Sequence, residues 1–183
     1  MNLPNILTVS RIILIPVFVV AYYLPIESNA ILAAALFFIA GCTDYLDGYL
    51  ARKWNQTTPF GAFLDPVADK LMVAMSLAVI IESYFSVWVT IPAMIIIGRE
   101  IVVSALREWM AEQGKRDNIA VSFIGKLKTM CQMGSIMLLL LGPESEWFYW
   151  SGIGLIYFAS LLTLWSMYQY LTASWEHLFA SEA

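Results

Sequence analysis

Long apolar stretches and short polar breaks alternate along the whole chain. A helix needs about 20 mostly apolar residues to cross a bilayer, and six stretches come near that length. The breaks between them carry Pro, Gly, Asn and Glu, which are typical of loops. The fifth stretch is short, so its helix can begin a few residues earlier. The pattern predicts six membrane-spanning helices, at residues 6–24, 30–52, 60–83, 87–109, 126–141 and 147–171.

The composition is that of a membrane protein and excludes several other classes. Of the 183 residues, 60% are hydrophobic and 13% are charged, and the mean hydropathy is +0.72. Soluble domains have about 25% charged residues, so a water-soluble enzyme of this length could not cover its surface. The net charge of −4 gives no attraction to phosphate backbones, and no nucleic-acid partner is expected. We interpret residues 1–183 as one all-α integral membrane domain.

The distribution of basic residues predicts the orientation in the membrane. The loops near residues 25–29, 82–86 and 142–146 contain no Lys or Arg, whereas the segments after the second and fourth spans are basic. Basic loops stay on the cytoplasmic side of a membrane, and an even number of spans returns the chain to the same side. Both termini are therefore predicted to be cytoplasmic. The basic residues of these segments are Arg52, Lys53, Arg107, Lys115 and Arg116.

Four aspartates lie inside the second and third predicted spans, where ionisable groups are costly and mark function. Asp44 and Asp47 are three residues apart, and Asp65 and Asp69 are four apart. Both spacings place two side chains on one face of a helix. The two pairs also lie at matching distances from the turn between the spans, with the deeper pair about 12 Å from it. We expect the four carboxylates to face one another.

Four facing carboxylates need either protons or a counter-charge, because like charges disfavour ionisation. Oxygen ligands favour a hard cation such as Mg²⁺ or Mn²⁺, and two such ions can clamp a phosphoryl group. The alternative is a structural charge network with Arg52, Lys53 and Lys70. Gly48 lets a ligand approach the acids or lets helices pack closely. Arg52 suits either phosphate binding or anchoring at the interface.

The spacing of these residues resembles a known signature. The pattern D-x2-D-G-x2-A-R-x8-G-x3-D-x3-D runs from Asp44 to Asp69 and is similar to the signature of the CDP-alcohol phosphatidyltransferase family, with no departure at its eight positions. The wider chain resembles bacterial glycerol-phosphate members of that family over residues 3–11, 60–70, 99–100, 104–110 and 125–129. The resemblance implies a six-helix, often dimeric protein of the bacterial inner membrane. Its cavity would open toward the cytoplasm and to lipid.

The resemblance also implies an activity and roles for individual residues. The reaction would combine CDP-diacylglycerol and sn-glycerol 3-phosphate to give phosphatidylglycerophosphate and CMP. Asp44 and Asp65 would bridge two divalent cations, Asp47 would complete one metal site, and Asp69 would complete the other and act as general base. The residues that would hold the cytidine diphosphate part are Gly48, Arg52 and Thr58, with Asn5, Thr8 and Arg11 from the N-terminal segment.

The phosphate of the acceptor would need basic partners near the acids. Arg99 lies 12 residues into the fourth span, about 18 Å deep, where an unpaired Arg is expensive. Its neighbour Glu100 points about 100° away on a helix and is expected to be an imperfect partner. Arg107, Lys126 and Lys128 are the other candidates. The two lysines diverge on a helix, so one of them is expected to face the pocket, and anchoring by positive charge is the alternative for both.

Two other interpretations stay open on the sequence alone. A sister enzyme could carry the same signature and use serine, an inositol phosphate or phosphatidylglycerol as acceptor. A divalent-cation transporter could use the acids as its ion site, although the chain lacks a matching pair of broken helices in its two halves.

Overall fold

In the part of the chain that the structure describes, six α-helices form a bundle. The structure, a computed structural model, describes residues 3–54, 58–112 and 123–179, and no strand occurs in these ranges. A short 3₁₀ turn, Gly142–Glu144, precedes the last helix. The helices are α1 Leu3–Tyr22, α2 Asn29–Lys53, α3 Pro59–Tyr84, α4 Val87–Glu112, α5 Phe123–Leu140 and α6 Glu146–Phe179.

Each predicted apolar stretch corresponds to one of these helices, and α5 begins three residues earlier than its apolar stretch. Three described helices contain a segment long and apolar enough to cross a membrane: Asn5–Tyr22, Val87–Ala111 and Glu146–Thr172. The apolar parts of α2 and α5 are shorter, at Asn29–Asp44 and Leu127–Leu140. Charged residues on these helices interrupt the apolar runs. The all-helical architecture is confirmed, whereas the count of six spans and the cytoplasmic termini stay predictions.

The start and end of α3 are set by local chemistry. Thr58 is extended and caps the helix, because its hydroxyl accepts a hydrogen bond from the Gly61 amide at 3.0 Å. Pro59 follows at the first helical position, where its missing N–H costs nothing. At the other end Phe85 adopts φ 43°, a left-handed conformation that ends helices. The chain then turns quickly, and α4 begins at Val87.

The interior and the surface have the distribution expected of a protein solvated by lipid. Large apolar side chains are exposed on the outside, among them Phe63, Ile101 and Trp165. The interior holds apolar residues such as Phe18 and Ile96, but also a set of buried polar side chains. These include Ser76, Gln132, Ser135, Ser160, Thr163 and Ser166. Polar groups on the inner side of the bundle can surround a functional cavity, to which all six helices contribute.

Candidate functional site

A cavity of about 640 Å³ lies inside the bundle and is bordered by every helix. The acidic residues on its wall come from α2, α3 and α4, and the basic residues come from α1, α3, α4 and α5. Polar residues of α6 close the remaining side. Its charged lining residues are Arg11, Asp44, Asp65, Asp69, Lys70, Arg99, Glu100, Arg107 and Lys128.

The predicted meeting of the acids is confirmed for three of them, which α1 holds together. Arg11 donates from one nitrogen, Nη1, to Asp44 Oδ1 at 2.6 Å and to Asp69 Oδ1 at 2.8 Å. Thr8, one turn earlier on α1, donates to Asp65 Oδ1 at 2.6 Å. We call these five residues the acid cluster. The side chain of Arg11 is 1% exposed, whereas those of Asp44 and Asp69 are 42% and 54% exposed.

Arg11 supplies a counter-charge that the sequence reasoning did not assign to it. As an alternative to bound metal ions, the sequence allowed a charge network of the acids with Arg52, Lys53 and Lys70. Lys70 instead donates to Ser104 on α4, Lys53 is exposed, and the side chain of Arg52 lies outside the described residues. Arg11 bridges α2 and α3 from the buried side, while Asp44 and Asp69 remain partly exposed and line the cavity.

The donor chemistry of the acid cluster fits divalent cations. Partly exposed carboxylates beside a cavity offer the oxygen ligands that Mg²⁺ and Mn²⁺ prefer. Among the described residues no group of three or more acidic, His or Cys side chains is arranged as a metal centre. The fourth acid of the predicted site, Asp47, has its side chain outside that part of the chain. The described arrangement is an acid cluster whose negative charge Arg11 neutralises only in part.

A second set of contacts fixes the start of α3 beside the acid cluster. Thr58 donates its hydroxyl to Asn5 Oδ1 at 2.9 Å, and Asn5 is buried. A Cβ atom on Gly61 would lie 2.9 Å from the same Asn5 oxygen, so a side chain there would displace the Asn5 amide and disturb its bond with Thr58. The signature glycine at position 61 thus has a packing reason. Gly48 is half-buried on α2.

The basic residues on the far elements are organised around one carboxylate. Glu100 Oε1 accepts from Arg99 Nη1 at 3.0 Å and from Lys128 Nζ at 2.5 Å. Arg99 also donates through Nη2 to Ser166 Oγ on α6 at 2.8 Å. We call these four residues the basic cluster. Arg99 and Lys128 are buried, so the expectation that Glu100 is an imperfect partner for Arg99 was wrong: its side chain reaches the guanidinium and also binds Lys128.

The other two basic candidates differ in what the structure describes. Arg107 lines the cavity, donates to the Tyr170 hydroxyl, and lies 4.9 Å over the centre of that ring. A guanidinium on an aromatic face is a stabilising arrangement, and it holds Arg107 at the edge of the cavity. The side chain of Lys126 lies outside the described residues. The expectation that one lysine of the pair faces the pocket agrees with the position of Lys128.

Comparison with known proteins shows the family to which the chain belongs. The family model described as CDP-alcohol phosphatidyltransferase matches residues 1–168. The chain belongs to the CDP-alcohol phosphatidyltransferase family. It is 53% identical over 178 residues, covering 97% of each chain, to a protein of Yersinia pestis (strain Pestoides F) named CDP-diacylglycerol–glycerol-3-phosphate 3-phosphatidyltransferase. A protein of the same name from Escherichia coli (strain K12) is 54% identical over 173 residues, covering 94% of each chain.

The family's signature covers only the acidic part of the cavity. Sequence reasoning found neither Glu100 as a shared partner nor Ser166, Tyr170 and Gln132 as lining residues. A signal for Glu100 was present, because an acid in an apolar span is costly without a partner. On α6, the buried residues Ser160, Thr163 and Ser166 recur every three residues, which marks an inward polar face.

Proposed function

We propose that this protein transfers the phosphatidyl group of CDP-diacylglycerol to sn-glycerol 3-phosphate, giving phosphatidylglycerophosphate and CMP. The observation that carries the proposal is one cavity that joins a carboxylate cluster to buried basic side chains. The family and the names of its two relatives support the same reaction. A carboxylate suits deprotonation of an attacking hydroxyl, and buried Arg and Lys suit a phosphate on the acceptor.

The donor would be held by residues of α1, α2 and the start of α3. In this proposal the cytidine diphosphate part is bound by Asn5, Thr8, Arg11, Gly48, Arg52 and Thr58. The buried contacts of Asn5, Thr8 and Arg11 fix α1 against α3, so the donor would meet a rigid wall. The diacylglycerol part would remain in the lipid, because the outer surface of the bundle is apolar.

The chemical step is attack of the acceptor's primary hydroxyl on the phosphorus that carries diacylglycerol. A new oxygen–phosphorus bond forms, the bond to CMP breaks, and CMP leaves with the electron pair. Asp69 accepts the proton of the attacking hydroxyl as general base, and its carboxylate is half-exposed beside the cavity. Asp44, Asp47, Asp65 and Asp69 would hold two divalent cations, Mg²⁺ or Mn²⁺, which when bound would stabilise charge on the transferring phosphoryl group.

The acceptor phosphate would be bound by Arg99, Arg107, Lys126 and Lys128. Glu100 would hold Arg99 and Lys128 side by side, because one of its oxygens accepts from both. Two cations around a single carboxylate leave an excess of positive charge for a phosphate dianion. This favours a phosphorylated acceptor over serine, which has no phosphate to pair with them.

We further propose a multi-pass protein of the bacterial cytoplasmic membrane, with the cavity facing the cytoplasm and the functional form a homodimer. Three described helices are long and apolar enough to span a bilayer. The segments that follow α2 and α4 are basic, and this favours the cytoplasm for the end of the bundle at which these two helices finish.

The test measures CMP release by purified protein in detergent with CDP-diacylglycerol and Mg²⁺. Glycerol 3-phosphate, serine, an inositol phosphate and phosphatidylglycerol are added separately, and EDTA provides the metal control. We expect release with glycerol 3-phosphate alone, abolished by EDTA. CMP release with another acceptor would show that glycerol 3-phosphate is not the substrate. CMP release that EDTA does not lower would show that the reaction does not depend on a metal. Metal flux into proteoliposomes without CMP release would favour a transporter.

A further inference from the structure

Gln132 is a buried polar residue of the cavity whose carbonyl oxygen has no partner. The residue lies on α5, is 4% exposed, and contributes to the cavity wall. In the described part of the chain nothing donates a hydrogen bond to its Oε1 atom. Buried polar atoms are almost always paired, and an unpaired one is costly. An orphaned acceptor on the wall of a cavity therefore points to a ligand that donates.

The position of Gln132 relates it to the basic cluster. It follows Lys128 by one helical turn, so the two side chains share a face of α5 and lie about 6 Å apart along the axis. Arg99, on the same cavity, also has a buried nitrogen, Nε, without a partner among the described residues. A small ligand bound to Arg99 and Lys128 would thus extend past Gln132.

The groups of the acceptor, glycerol 3-phosphate, determine which of them can donate a hydrogen bond to Gln132 Oε1. This step rests on the proposed function. The phosphate of glycerol 3-phosphate would bind the basic cluster, and an ionised phosphate has no proton to donate. The primary hydroxyl gives its proton to Asp69 during attack. The secondary hydroxyl is the remaining donor of the acceptor, and an amide oxygen accepts from a hydroxyl.

We propose that Gln132 binds the secondary hydroxyl of glycerol 3-phosphate through Oε1 and so selects acceptors that carry a hydroxyl beside the attacking one. A site built around a hydrogen bond to a substrate hydroxyl discriminates against the analogue that lacks it, because its own polar group is then left unpaired. Gln132 is a specificity residue for the acceptor in this arrangement, and the proton transfer stays with Asp69.

The test compares glycerol 3-phosphate with 3-hydroxypropyl phosphate, which keeps the phosphate and the attacking hydroxyl but lacks the secondary one. The ratio of kcat/KM for the two acceptors is measured in the wild type, Gln132→Leu and Gln132→Met. Thr163→Val is the matched control, because Thr163 has a fully buried hydroxyl without a partner in the described chain but does not line the cavity.

In the wild type we expect glycerol 3-phosphate to be preferred by about tenfold, the worth of one hydrogen bond. Both Gln132 variants should lower this preference toward unity by slowing glycerol 3-phosphate alone, and Thr163→Val should retain it. A purely structural role of Gln132 would slow both acceptors equally and leave the ratio unchanged, which overturns the proposal. Equal use of the two acceptors by the wild type overturns it without any variant. No turnover of glycerol 3-phosphate would instead refute the proposed function itself.

Discussion

The two charged clusters of the cavity are built in opposite ways. In the acid cluster a buried Arg11 lies between two carboxylates that are about half exposed. In the basic cluster the carboxylate of Glu100 lies between two buried cations. Each cluster is held by one residue of opposite charge, so neither set of like charges stands alone. The partly exposed carboxylates can bind an incoming cation or accept a proton. The buried cations can bind an anion, and little water has to be displaced when it binds.

In each cluster the central residue, Arg11 or Glu100, positions the other side chains. Arg11 joins α1 to α2 and α3, and Glu100 joins α4 to α5. Removing a central residue should therefore affect stability, while removing a peripheral one should affect a single substrate or the chemical step.

Asp69→Asn is expected to have the largest effect. The amide keeps the volume of the side chain but cannot accept the proton, so kcat should fall by about 10²–10⁴-fold while the protein stays folded. CMP release with glycerol 3-phosphate measures the change. Glu108→Gln, an exposed acid on α4, is the matched control and should behave as the wild type. Near-normal turnover by Asp69→Asn would show that another group is the base.

Glu100→Gln should destabilise the protein most. The change leaves Arg99 and Lys128 buried beside each other without their carboxylate, and breaking a buried pair costs about 3–5 kcal/mol. Thermal unfolding in detergent should show a lower Tm than that of Glu108→Gln. Inorganic phosphate should restore part of the loss by taking the place of the carboxylate. An unchanged Tm would mean that Glu100 does not hold the basic cluster.

Arg11→Met should destabilise less than Glu100→Gln. The carboxylates of its described partners, Asp44 and Asp69, are about half exposed, so water compensates part of the lost pairing and we expect about 1–2 kcal/mol. Mg²⁺ should raise the Tm of this variant more than that of the wild type, because a divalent cation can neutralise the same acids. An equal response to Mg²⁺ in both proteins would contradict a metal site at the acid cluster.

Thr58→Val should have the smallest effect. It removes the cap of α3 and the hydrogen bond to Asn5, a loss of about 1 kcal/mol. Thr172→Val, whose exposed hydroxyl bonds only to its own helix, is the control and should unfold at the wild-type temperature. Equal Tm values for the two variants would show that the α1–α3 contact does not stabilise the acid cluster.

The sequence predicted the helices and the meeting of the acids for clear physical reasons. Six apolar stretches of the right length dictate six helices, and spacings of three and four residues put Asp44 and Asp47, or Asp65 and Asp69, on one face. Hydropathy does not give the rotation of each helix about its axis, which depends on packing. For this reason Arg11, assigned to the donor by resemblance, was not foreseen between the acids.

The basic cluster was only partly predictable for the same reason. Arg99 and Lys128 stood out as charges in apolar spans, but their shared partner depends on how α4 and α5 are turned toward each other. The Ser and Thr spacing on α6 marks a polar face but not the partner of Ser166, and Gln132 is a single neutral polar residue in an apolar stretch of α5. Their burial and contacts became visible only when the helices were placed together.

We propose that the basic cluster binds the acceptor and that the acid cluster carries out the chemical step. The kinetics of Lys128→Gln with both substrates test this separation of roles. Lys128 belongs to the basic cluster, so we expect KM for glycerol 3-phosphate to rise about tenfold or more while KM for CDP-diacylglycerol stays at the wild-type value. Lys53→Gln, an exposed lysine at the end of α2, serves as the control. A rise in KM for CDP-diacylglycerol alone, or no change in either KM, would show that the basic cluster does not bind the acceptor.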